Sequence, residues 1–152
     1  MASPRPQVPI WKRLLKWFAI LLIIVAATIG YSIYHIWQLV PESYAAWTTS
    51  NVMVEYLKTH TNQWPHGWED LRSATNTLQQ KGSPAVYTPL DRLPQFVKID
   101  WQADVAHLRQ LARGKSNATV QVVTRLNGSR LRAIWGPDTE PNTAIMRYLQ
   151  TQ

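Results

Sequence analysis

WFAILLIIVAATIGYSIYHIWQLV, Trp17 to Val40, carries no charged residue, and Lys12, Arg13 and Lys16 stand directly before it. About 20 consecutive apolar residues are enough to cross a bilayer as a helix. This stretch decides the fold, because everything after Pro41 becomes the part that a membrane helix places on one side. The expected class is α+β: a single N-terminal transmembrane helix, then a small exported domain with helices packed on a short antiparallel sheet. The expected core of that domain is a β-α-β-β hairpin arrangement.

The chain has 152 residues, and removing the first 41 leaves 111, enough for one modest core. A net charge of +7 invites a nucleic-acid reading, but the position of the charge argues otherwise. Arg5, Lys12, Arg13 and Lys16 precede the first acid, Glu42, so more than half of the excess lies in the N-terminal flank. Such a flank is held in the cytoplasm by the positive-inside rule. Residues 1–16 therefore read as a basic cytoplasmic tail, 17–40 as the transmembrane helix and 41–152 as the exported domain. The lipid bilayer is the first partner, and nucleic acid is disfavoured. With no cysteine, disulfides, thiolate ligands and a cysteine nucleophile are excluded.

A cleaved secretory signal is the rival reading, with Val25 and Ala27 at the small-residue cleavage positions, and it would yield a secreted soluble binding protein. Against it, hydrophobicity continues through Ile29, Ile33, Ile36, Leu39 and Val40. Trp11 and Trp17 at one end, and Tyr31, Tyr34 and Trp37 at the other, suit the two membrane interfaces. Ala26 and Gly30 form a small-xxx-small pair where two helices can approach closely, so a homo-oligomer or a membrane-protein partner is an option.

After Pro41 the pattern predicts helices near 42–60 and 67–81, a loop over 82–95, a strand over 96–101 and a helix over 104–113. A hairpin over 119–135 and a short helix over 142–150 complete it. Ala46, Met53 and Leu57 share a face of the first helix, and a break at Thr48-Thr49-Ser50-Asn51 is an alternative. Trp68, Leu71, Thr75 and Leu78 line the second, while Asp104 and Gly114 bound the third. Asn127-Gly128 is a strong hairpin signal. A two-residue turn would set Val120, Val122, Leu131, Ala133 and Trp135 on the core face. Gln121, Arg125, Arg130 and Arg132 would then lie on a wet face, with Arg125 directly opposite Arg130. Trp68, Trp101 and Trp135 are the expected core tryptophans, and Trp64 is expected to pack under its turn.

Arg125, Arg130 and Arg132, joined by Arg109, Arg113 or Lys115, are the candidates for an exposed basic binding face. The four histidines show no zinc spacing, Glu69-Asp70 suits a helix start, and no GxSxG or phosphate loop occurs. No catalytic residue, metal or cofactor is expected, and the role read here is non-enzymatic: protein or envelope contacts. Asn117-Ala118-Thr119 and Asn127-Gly128-Ser129 match glycosylation acceptors, the second being explained by turn chemistry.

The layout resembles that of type II secretion pseudopilins, in its basic N-terminus, its apolar helix running into an amphipathic one, and its Tyr56…Trp64-Pro65…Trp68…Leu71 segment before a small sheet. The chain is also similar to uncharacterised single-pass membrane proteins of planctomycete-type bacteria, through the WP-x-x-W-E-D-L phrase and a V-x-I-D-W strand. The first resemblance implies a subunit of a secretion or pilus-type assembly. This chain lacks that family's glycine-phenylalanine junction and its glutamate five residues into the helix, so the resemblance implies architecture and no functional residue.

Overall fold

The computed structural model describes residues 10–60, 63–82, 86–114, 120–132 and 134–152. Helix α1 spans Ile10–Thr59 and contributes to two units, which divide after Gln38. In the first unit every described side chain from Leu14 to Gln38 is exposed. Thr28 and Ser32 turn their hydroxyls back onto the carbonyls of Ile24 and Thr28, which leaves that surface without free polar hydrogens on those two side chains.

In the second unit the part of α1 after Gln38 is the spine. Ala45, Ala46, Val52, Met53, Tyr56 and Leu57 are buried on it at helical spacing. The alternative break at 48–51 does not occur, because the hydroxyls there serve tertiary contacts instead of caps. Thr48 Oγ1 accepts the backbone N–H groups of Tyr87 and Thr88, each at 3.1 Å. Ser50 donates to the Asp138 carbonyl, and Thr49 donates back to Ala45.

Around this spine lie α2 (Asp70–Gln80), β1 (Val97–Ile99), α3 (Val105–Arg113), β2 (Val123–Arg125) and α4 (Pro141–Gln150). Helix α2 starts three residues later than expected and buries Leu71, Ala74, Thr75 and Leu78. The predicted loop over 82–95 contains a 3-10 turn, Leu90–Gln95, which buries Leu93. Asp104 caps α3 by accepting the Ala106 N–H at 2.8 Å. Trp64 is buried with its indole N–H on the Asp100 carbonyl at 2.8 Å, so the Trp-Pro turn is bolted to the end of β1. Trp68 and Trp101 meet edge to face beside it.

The hairpin is the main correction. Arg125 N–H donates to the Ser129 carbonyl at 2.8 Å, and Gly128 N–H donates to Arg125 at 2.9 Å. This is a three-residue loop closed by Gly128 at φ +79°, not the two-residue turn that Asn-Gly suggests. The turn register moves by one residue and brings Val123 and Arg125 inward, while Val122 is buried as expected. Val123 and Arg125 lie opposite Ile99 and Val97 in the antiparallel ladder with β1. No strand forms in the described part of 129–135, so the sheet has two strands instead of three. Leu131 is buried, but Trp135 is exposed, against its expected place in the core; Ala133 lies outside the described residues.

The amide of Asn142 stands where a third strand would pair with β2. Its Oδ1 accepts the Val123 N–H at 2.9 Å and its Nδ2 donates to the Val123 carbonyl at 2.8 Å. Both backbone groups are buried, and an unsatisfied buried group costs about 1–3 kcal/mol. The variant Asn142→Ala is expected to lower unfolding free energy by about 2–4 kcal/mol on this basis. Urea unfolding of the detergent-solubilised full chain, followed by tryptophan fluorescence, checks it; an unchanged midpoint would show that Asn142 does not pin β2.

Candidate functional site

The three arginines of the expected basic face are not delivered to one free surface. Arg125 Nε donates to Glu42 Oε1 at 2.6 Å, and its Nη2 pairs with Glu42 Oε2. Both partners are largely covered, at 25% and 12% side-chain exposure, so this two-pronged pair anchors β2 to α1. Glu42 also accepts the Arg132 backbone N–H at 3.0 Å, and Ser43 donates to the Arg132 carbonyl. The side chain of Arg132 remains exposed. Arg130 reaches Glu140 at 3.2 Å, so the expected Arg125–Arg130 repulsion is replaced by two separate ion pairs. On α3, Arg109 keeps a buried Nε without a partner, and Lys115 lies outside the described residues.

Glu140 and Asn142 were not singled out by sequence reasoning. The signal available was the Glu-Pro-Asn-Thr run at a helix start, where an acid can cap and proline suits the first turn. Glu140 Oε2 accepts Thr143 N–H at 2.7 Å and its hydroxyl at 2.6 Å, while Oε1 accepts Asn142 Nδ2 at 2.8 Å. Glu55 was missed as well. It is buried on α1 and takes Lys81 at 2.6 Å, with Lys58 at 4.0 Å.

Glu55 borders a groove of about 410 Å³ between α1, α2 and α4, with Ser50, Asn51, Lys58, Asp138, Arg147 and Tyr148 among its lining. That volume is in the range of small-molecule sites. Its charges are already engaged with one another, since Arg147 pairs with Asp138 and Lys58 with Glu55, and Tyr148 donates to the Leu57 carbonyl. The groove therefore offers hydrogen bonding at a mixed, nearly balanced surface. His60 stacks on Tyr56 with ring centroids 4.2 Å apart, and its Nδ1 lies 2.9 Å from Thr59 Oγ1, at the end of α1. Among the described residues no group of three His, Cys, Asp or Glu side chains converges as a metal site would require.

Ala26 and Gly30 both lie exposed on α1, and a Cβ added at Gly30 would meet open space. Asn127 Oδ1 accepts both the N–H and the hydroxyl of Ser129, so that acceptor sequence serves the turn; Asn117 to Thr119 lie outside the described residues. No protein-family model, curated protein or solved structure matches this chain.

Two carboxylates carry the electrostatics. Burial opposes the charge on Glu42, but the hydrogen bonds from Arg125 and from the Arg132 backbone outweigh it, and the carboxyl lies below its ordinary 4.5. Burial also opposes Glu140, where hydrogen bonds from Thr143, Asn142 and Arg130 win and lower the value. A carboxyl depressed in the folded state contributes stability that is complete above its unfolded value and fades as pH falls through the folded one. The urea midpoint is therefore expected to hold from neutral pH down to the ordinary carboxyl value and to decline below it. In Glu42→Gln/Glu140→Gln the acid limb should be flatter, and an identical acid limb would remove these two groups as its source.

Proposed function

We propose that this chain is a single-pass, membrane-anchored envelope protein with a cytoplasmic N-terminus and a small exported α+β domain. Its role is non-enzymatic and lies in contacts with other envelope proteins. The exposure of every described side chain from Leu14 to Gln38 on a helix long and apolar enough to cross a membrane carries this reading. A soluble protein rarely exposes a contiguous apolar patch above a few hundred Å². Cleavage after Ala27 would still leave Ile29, Tyr31, Ile33, Tyr34, Ile36 and Trp37 in water, which argues for a retained anchor. The orientation rests on the basic flank before Trp17.

The cysteine-free chain makes topology directly measurable. In Ser129→Cys a membrane-impermeant maleimide should label intact cells, whereas Ser3→Cys should react only after lysis. The reverse pattern would invert the orientation. Recovery of a chain starting at Thr28 in the alkaline-carbonate supernatant would overturn the anchor itself.

The face of Ala26 and Gly30 is where a second membrane helix would approach, as in a homo-oligomer or a pilus-type assembly. The small-xxx-small spacing of Ala26 and Gly30, both on the exposed part of α1, is the observation that favours it. Gly30→Ile should weaken self-association in a membrane reporter, and an unchanged signal would remove this face from the contact.

A further inference from the structure

We propose that the end of the domain built around residues 40–47 is a membrane-docking face that rests on the bilayer surface on the exported side. The inference rests on reading Trp17–Val40 as the transmembrane anchor and adds to it a second site of contact with lipid.

Among the described residues beyond Gln38, the exposed large hydrophobic side chains are Tyr87 at 41%, Leu126 at 59%, Ile134 at 43% and Trp135 at 48%. Tyr87, Leu126 and Trp135 come from separate loops, yet each is brought to residues 42–47 of α1. The Tyr87 ring lies 5.0 Å from Tyr44 and 4.7 Å from Trp47, and Trp135 lies 5.7 Å from Tyr44. Ile134 precedes Trp135 in the chain. Leu126 follows Arg125, the partner of Glu42, and shares a cleft with Glu42 and Phe96. Scattered single hydrophobics on a surface are ordinary, but three gathered at one end, with Ile134 next to one of them in the chain, are not. The exposed residues of α2, by contrast, are Arg72, Ser73, Asn76, Gln79 and Gln80, all polar.

Position along the chain selects lipid as the occupant. At 1.5 Å per helical residue, Glu42, Tyr44 and Trp47 lie about 3, 6 and 10 Å beyond Val40. The polar interfacial zone of a bilayer is about 5–8 Å deep on each side of the hydrocarbon. Tyr44, with the rings of Tyr87 and Trp135 beside it, thus falls at headgroup depth, where tyrosine and tryptophan are most at home, and Trp47 lies just beyond that zone. The charges around it fit the same depth. Glu42 is neutralised by Arg125, while exposed Arg92, which lines a recess with Val40 and Tyr44, and exposed Arg132 supply cations for phosphate headgroups.

Site-directed spin labelling tests this on the full chain, since no native cysteine interferes. Ile134→Cys and Leu126→Cys carry the label at exposed positions, with Ile33→Cys and Gln79→Cys as lipid and water references. The protein is reconstituted in equimolar phosphatidylcholine and phosphatidylglycerol vesicles. Oxygen partitions into lipid and a neutral nickel chelate stays in water, so their collision ratio reports depth. The expected result is a severalfold higher oxygen-to-nickel ratio at 134 and 126 than at 79. Ratios equal to that at 79, with 33 in lipid, would overturn the docking face and leave the anchor standing. A label at 134 shielded from both reagents would replace lipid by a protein contact and also overturn it. An aqueous signal at 33 would overturn both readings.

Discussion

Polar side chains on one helix hold the loops of this domain in place. Helix α1 supplies Glu42, Ser43, Thr48 and Ser50, and each bonds to backbone or side chain from a segment 39 to 90 residues away in sequence. The need is physical. The two strands have three residues each, too few to satisfy the surrounding backbone through ladders, and a buried backbone group without a partner is costly. Thr48 accepts two N–H groups of the 86–89 stretch at once, and Glu42 seats both the Arg125 side chain and the Arg132 backbone. Loops that would otherwise need a third strand are tied directly to the spine.

The same logic explains the buried acids. Glu42, Glu55 and Glu140 are each covered by the fold, and each is paired with a base. A buried charge is tolerated when its partner and its hydrogen bonds are complete, and removing one partner leaves the other stranded. Glu140 meets that condition most fully, with Thr143, Asn142 and Arg130 around it. The exposed pairs, such as Arg147 with Asp138, contribute little by comparison. Position, more than total charge, separates the two sets.

Where the amino-acid pattern is local, it is legible. The spacing of Leu71, Thr75 and Leu78 marks the buried face of α2, and Asp104 marks the start of α3, because a helix face and a cap each depend on neighbours within a few residues. The Asn-Gly turn shows the limit. Both a two-residue and a three-residue loop suit those residues, and the choice between them shifts the register at the turn by one. Arg125 consequently turns inward to Glu42, 83 residues earlier, and Trp135 turns out to join Tyr44. The arginine face read from alternation could not survive that shift.

By itself the sequence determined the apolar stretch from Trp17 to Val40, its basic flank and the helices whose periodicity is written in consecutive residues. Those features follow from solvent preference and local geometry, which need no knowledge of the rest of the chain. The tertiary structure decided that Thr48 and Ser50 bind loops instead of breaking α1, that Asn142 pairs with β2 in place of a strand, and that the exposed aromatics gather beside residues 40–47. Each of these depends on partners 39 or more residues apart, or on Asn142 reaching across 19, and a hydrogen bond between distant residues leaves no periodic trace in either segment.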